Sequence, residues 1–196
     1  MTNEGKKNNN TPIVNNGVSF NTLIISPSET VTSLQIVCFF DFEKNQHYAG
    51  GTYAVNEHFG GEIHELRKSG IFKGNPLETL LITPVAKQIP ARRLLLIGLG
   101  DPVDFNIDLL VAVGYTVAKE AIQLEVPDFC FAPSLKDAGL TLSFGKTAVS
   151  DALIKGMSTA IAQSVTLFER QMMKPLVLKE INLLRGKALE TTEDQA

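Results

Sequence analysis

The densest group of side chains able to do chemistry is Glu57, His58, Glu62, His64 and Glu65. Imidazole and carboxylate are the usual ligands of hydrolytic metal ions, and dinuclear centres need several of them converging. His58 and Glu62 are four residues apart and would share one face of a continuous helix. His64 follows Glu62 by two positions, about 200° further round the axis, so it points elsewhere. His64-Glu65 also lacks the second histidine of an H-E-x-x-H zinc motif. Two aligned groups fall short of the three or four that zinc requires, so the cluster reads as a solvated helix face. No metal and no cofactor is expected.

Phosphate chemistry has two candidates. The run Gly139–Thr147 (GLTLSFGKT) places five residues between its glycines where a phosphate loop has four, and those five are strand-like. A chance Gly-Lys-Thr is the better reading. Gly98-Leu99-Gly100-Asp101 ends an apolar run and precedes a helical pattern, and ligands of open α/β sheets favour the carboxyl ends of strands. These four residues, with Gly50 and Gly51, are the candidate small-ligand positions. Asp101, Asp104 and Asp108 argue against a phosphate there, because they repel it and satisfy the helix dipole themselves. Val103 also stands where a G-x-G-x-x-G loop has its third glycine. The competing reading is a tight turn packed beneath a neighbouring element, and Gly60-Gly61 invite the same one.

Nucleophilic chemistry is not marked. Cys38 and Cys130 sit inside apolar runs, where a thiol is inert filling, and no serine has G-x-S-x-G around it. Two cysteines make neither a disulfide framework nor a cysteine-based zinc site, which suits a reducing, cytoplasmic setting. With 18 Lys+Arg against 21 Asp+Glu, the chain lacks the positive excess needed to neutralise nucleic-acid phosphates. No apolar run approaches the ~20 residues that cross a bilayer, and the Asn-rich start has no signal-peptide core. No nucleic-acid or membrane partner is expected.

These groups must be positioned by a single folded unit. Residues 1–17 are expected to be frayed, 18–187 to form one domain, and 188–196 to be a loose tail. Short apolar runs predict strands at Phe20–Ser26, Leu34–Asp41, Thr79–Thr83, Arg93–Leu99, Asp128–Ala132 and Leu176–Leu184. Several are apolar at successive positions, as in strands covered on both faces. Helical spacing predicts Asn106–Leu124, capped by Asn106 or Asp104, and Asp151–Met172, capped by Ser150. A weaker helix is expected over Ala54–Lys68, interrupted at Gly60-Gly61. Alternating strands and helices predict an α/β fold of three layers with a mixed central sheet. Met157, Ala160, Ile161, Phe168, Met172 and Met173 form an apolar stripe whose exposed remainder would suit self-association or a protein partner.

Two blocks carry a resemblance. The first is Gly60-Gly61-Glu62-Ile63-His64-Glu65-Leu66, then Gly70-Ile71-Phe72-Lys73-Gly74, then Leu80-Leu81-Ile82. The second runs from Arg92 through Leu94-Leu95-Leu96-Ile97 to Gly98-Leu99-Gly100, followed by an Ala-containing helix. In this order they resemble the amino-terminal domain of leucyl (cytosolic) aminopeptidases, from the first strand to the last. The resemblance implies a macro-domain-like fold without catalytic residues, the peptidase chemistry lying in a separate two-metal carboxy-terminal domain. No run here resembles that domain's N-T-D-A-E-G-R block. The resemblance thus implies a stand-alone non-catalytic platform for interaction or oligomerisation, with no aminopeptidase activity of its own. Its macro-like fold also suggests a small ligand such as ADP-ribose or a related nucleotide.

Overall fold

Why the sheet forms where it does follows from its two most continuous apolar runs, Gln35–Phe39 and Leu94–Gly98, each buried at every residue. Backbone covered on both faces must pair with neighbouring strands to satisfy its polar groups. The computed structural model describes residues 12–46, 49–85, 88–133, 135 and 145–184. In chain order the elements are β1 (Ile13–Asn15), β2 (Val18–Leu23), β3 (Gln35–Phe39), α1 (Gly50–His58), α2 (Glu62–Lys68), β4 (Thr79–Ile82), β5 (Leu94–Gly98), α3 (Ile107–Gln123), β6 (Asp128–Ala132), α4 (Lys146–Glu169) and β7 (Glu180–Leu184). The sheet order is β1-β2-β7-β6-β3-β5-β4. The edge strands β1 and β4 run antiparallel to their neighbours, and the inner pairs are parallel. This is the expected mixed sheet of an α/β fold.

Successive side chains of a strand point to opposite faces, so the inner strands feed two cores. Ile36, Cys38, Leu95, Ile97, Phe129 and Phe131 pack beneath α3 and α4. Val37, Phe39, Leu94, Leu96 and Cys130 pack against Val55 of α1, Ile63 of α2 and the nearby Phe59 and Phe72. Each such large side chain taken from water contributes about 2 kcal/mol. Helices α3 and α4 approach at backbone distance. A Cβ on Gly156 would lie 2.7 Å from Tyr115 N and would overlap the Val111 carbonyl, so only glycine allows this crossing.

Most expected elements are present, with shifted ends. α4 starts at Lys146, five residues before the expected Asp151, and Gly145 rather than Ser150 is its N-cap. Burial explains the extension, because Val149, Leu153 and Met157 continue one buried stripe through that first turn. The helix stops at Glu169, short of Met172, where Gln171 adopts φ 58°. The run from Leu176 becomes strand only at Glu180, which pairs with Asp128, the first residue of β6. Pro127, just before it, has no N–H to continue the ladder. The interruption expected at Gly60-Gly61 divides the stretch over Ala54–Lys68 into two helices, since these glycines take φ 62° and 86°. The first of them starts at Gly50. Ile13–Asn15, in the stretch expected to fray, pairs with β2. Asn106, not Asp104, caps α3, its Oδ1 accepting from Leu109 N at 2.9 Å.

Candidate functional site

Strand order places a switch point between β3 and β6. From β3 the chain moves along the sheet toward β4 and β5, whereas from β6 it moves the other way to β7. Adjacent strands whose connections diverge leave an opening at their carboxyl ends, the usual ligand position in open α/β sheets. Three segments line that edge: the exit of β3, the exit of β5, and the loop before β4. They are stitched together by backbone hydrogen bonds. Asp41 N donates to Gly100 O at 2.8 Å and Phe42 N to Lys73 O at 2.9 Å. Cys38 Sγ reaches the Pro133 carbonyl beyond β6.

Gly98, Leu99, Gly100 and Asp101, the candidate ligand positions, follow β5 or end it on this edge. Their polar groups are engaged by the protein itself. Gly98 N donates to Glu78 O, Leu99 N to Phe39 O, and Gly100 N to Gly74 O, each at 2.8 Å. The Asp101 carboxylate accepts from Val103 N at 2.9 Å and so caps the short turn Pro102–Asp104. A Cβ on Gly98 would lie 2.6 Å from Gly74 C, and one on Gly100 would lie 2.5 Å from Pro76 Cγ. Gly74–Pro76 therefore rests directly on the end of β5. Gly50 and Gly51 open α1 on the same edge, after β3, and their N-cap Ala49 supplies no side-chain acceptor.

Two residues of this edge were not singled out by sequence. Arg67 is buried, donates to the Phe40 carbonyl, and sets its guanidinium over the rings of Phe39 (4.6 Å) and Phe42 (5.2 Å). A planar cation on aromatic faces holds the exit of β3 in one geometry. Its only sequence signal was the four-residue spacing from the apolar Ile63. The other is Glu78, whose carboxylate accepts from Lys73 N, Gly74 N and Asn75 N.

The His/Glu cluster is dispersed by the same glycines that break the helix. His58 ends α1 and Glu62 begins α2, so the four-residue face expected for them does not form. His64 packs its ring edge-on to Phe42 at 5.4 Å, and its backbone N–H donates to Asn56 Oδ1 at 2.9 Å. A hollow of about 680 Å³ between these helices is lined by Asn56, Gly60, Gly61, Glu62, His64 and Glu65, among others. Among the described residues, no three His, Cys, Asp or Glu side chains meet as metal ligands. His47 and Gly139–Phe144 of the phosphate-loop-like run lie outside the described residues. Both cysteines are buried, and burial pushes the Cys130 thiol up to about 12. Such a thiol does not supply thiolate at neutral pH. No described helix is long and apolar enough to cross a membrane.

Residues 36–153, spanning β3 into α4 and including every part of this edge, match the cytosol aminopeptidase family, N-terminal domain. The chain belongs to that family. A probable cytosol aminopeptidase of Gloeothece citriformis is 27% identical over 145 residues, which is 72% of this chain and 28% of that protein. The chain thus spans under a third of this relative's length. Among solved structures, the Oceanobacillus iheyensis macrodomain with ADP superposes at TM-score 0.63, with 13% identity and 91% and 88% of the two chains covered. A Trypanosoma brucei macrodomain in complex with ADP-ribose gives 0.59, 14% identity, and coverage of 84% and 62%. A mutant tomato leucine aminopeptidase gives 0.58, 13% identity, and coverage of 93% and 34%. The fold is therefore macrodomain-like, and it is shared with a part of leucine aminopeptidase.

Proposed function

We propose that this member of the cytosol aminopeptidase family is a non-catalytic, cytoplasmic interaction or oligomerisation module. The observation that carries this reading is the closed end of β5. Gly98 and Gly100 are used to seat Gly74–Pro76, and their N–H groups bond to the chain rather than facing a ligand. The apolar stripe of α4 divides in a way that fits the reading. Met157, Ala160 and Ile161 belong to the core, whereas Phe168, Met172 and Met173 stay exposed beside the basic Arg170 and Lys174. Purified protein incubated with leucine p-nitroanilide and Mn²⁺ or Zn²⁺ is expected to show no sustained turnover. In sedimentation equilibrium it is expected to associate, and Phe168→Glu with Met172→Glu is expected to return it to monomer without lowering its melting temperature. Metal-dependent hydrolysis, or a strictly monomeric wild type, would overturn the proposal.

A second reading, a small-ligand module for ADP-ribose or a related nucleotide, is favoured by one feature. The strand order reverses between β3 and β6, a switch point, and Gly50-Gly51 begin the helix that follows β3. The macrodomain likeness is a likeness of fold and adds only analogy. Calorimetric titration with ADP-ribose separates the readings, since absence of heat at high micromolar ligand counts against this one.

A further inference from the structure

Three consecutive backbone N–H groups at the carboxyl edge converge on one carboxylate. Lys73 N donates to Glu78 Oε1 at 3.2 Å, and Gly74 N and Asn75 N both donate to Oε2 at 2.9 Å. Gly74, at φ 87°, turns the backbone so that these donors share a focus. Successive N–H groups arranged this way form a concavity that binds phosphate, sulfate or carboxylate. Lys73 and Asn75 are exposed, Gly74 is buried against the exit of β3 and Glu78 is half-buried, so the concavity meets solvent at its two flanking donors. The segment it organises is anchored at both ends. Gly100 N bonds to Gly74 O at 2.8 Å, and Leu77 N to Gly98 O at 3.0 Å.

We propose that Lys73–Asn75 is an oxyanion receptor whose tethered occupant is the Glu78 carboxylate, and that this self-ligation latches the segment across the end of β5. The receptor takes an oxyanion presenting two oxygens, of the phosphate or carboxylate class. A tether of three to five residues holds Glu78 at an effective concentration in the millimolar range or above, so a free anion does not displace it from the native protein. Removing the carboxylate exposes the receptor. This inference is independent of whether the domain oligomerises or binds nucleotide.

The test is amide NMR and thermal unfolding of Glu78→Ala, titrated with sodium phosphate against sodium chloride of equal ionic strength. We expect Glu78→Ala to melt about 5 °C below wild type, from the loss of a charge-assisted hydrogen-bond set. We expect phosphate to shift the Lys73, Gly74 and Asn75 amides saturably and to raise the melting point in step. The wild-type amides should not respond. Because phosphate stabilises most proteins weakly by exclusion, Gly156→Ala serves as a variant destabilised elsewhere. An equal phosphate-driven rise in that variant overturns the proposal. A sodium acetate arm assigns the class: acetate moving the same amides marks a carboxylate receptor, and phosphate alone marks a phosphate receptor. Should Glu78→Ala not fold, Glu78→Gln keeps the shape without the charge and is titrated in its place. Wild-type hydrogen exchange gives a further check, and rapid exchange of these three amides would refute the latch.

Discussion

Replacing Gly98 by alanine decides between packing and ligand contact at the end of β5. The new Cβ would stand 2.6 Å from Gly74 C and 2.8 Å from Gly74 O, and closer still to the Asn75 carbonyl. Non-bonded carbon contacts are comfortable at about 3.5–4.0 Å, so the loop must retreat by roughly 1–1.5 Å. The obstructing atoms are backbone and cannot rotate away. Retreat strains three hydrogen bonds at once: Gly98 N to Glu78 O, Leu77 N to Gly98 O, and Gly100 N to Gly74 O. Overpacking alone costs about 1–3 kcal/mol, and each weakened bond adds up to about 1 kcal/mol. The reduced freedom of the unfolded chain returns less than about 1 kcal/mol. A net loss of about 3 kcal/mol is expected, which lowers the melting point of a chain this size by roughly 10 °C. Urea and thermal unfolding, followed by circular dichroism, measure it. A variant melting within about 1 °C of wild type would refute the close-packing argument. If that stable variant also lost a ligand response seen in wild type, Gly98 would be a ligand contact.

Three further outcomes follow from the cores. Gly156→Ala places a better helix former inside α4, a gain of about 1 kcal/mol by propensity. The crossing with Val111 and Tyr115 reverses the sign, and we expect a net loss of about 2 kcal/mol in urea unfolding; a stabilised variant would show that the helices do not touch at backbone distance. Cys130 has its thiol raised from 9.0 to about 12, first by burial and then by the nearby charges of Asp128 and Glu180, partly opposed by hydrogen bonds from Thr32 and Asn182. The folded protein thus keeps this proton after the unfolded chain has lost it. Stability from this group is complete below about pH 9 and falls as pH rises toward 12, at up to about 1.4 kcal/mol per pH unit. Wild type should lose stability faster than Cys130→Ser across that window. Neither cysteine should react with dithiodipyridine before unfolding, and prompt labelling of the native protein would contradict the burial.

Much of the architecture was legible because burial on both faces leaves a local mark. Gln35–Phe39, Leu94–Gly98 and Asp128–Ala132 are apolar runs bounded by turn residues, and each is a strand within a residue or two of the expected bounds. The start of α3 was legible because an N-cap is a local hydrogen bond, from Leu109 N to the Asn106 side chain three residues earlier. The ends of β7 and α4 were not. Where β7 starts depends on the register of its partner β6, and the first turn of α4 depends on what Val149 packs against. The edge of the sheet was legible only in part. Glycines at 98 and 100 announced a close approach without saying what approaches, and nothing local marked Arg67 as buried.

The amino-acid sequence by itself determined the α/β class, the alternation of strands and helices, and the family resemblance seen at Gly70–Gly74 and Gly98–Gly100, because these rest on periodicity and on motifs a few residues long. Only the tertiary structure decided that Gly74–Pro76 covers Gly98 and Gly100, that Arg67 clamps Phe39 and Phe42, and that Glu78 fills the concavity of Lys73–Asn75. The first two of these contacts join segments more than twenty residues apart, so their partners depend on how strands and helices are arranged, which no local pattern encodes. The third lies within three to five residues, in the loop that leads into β4.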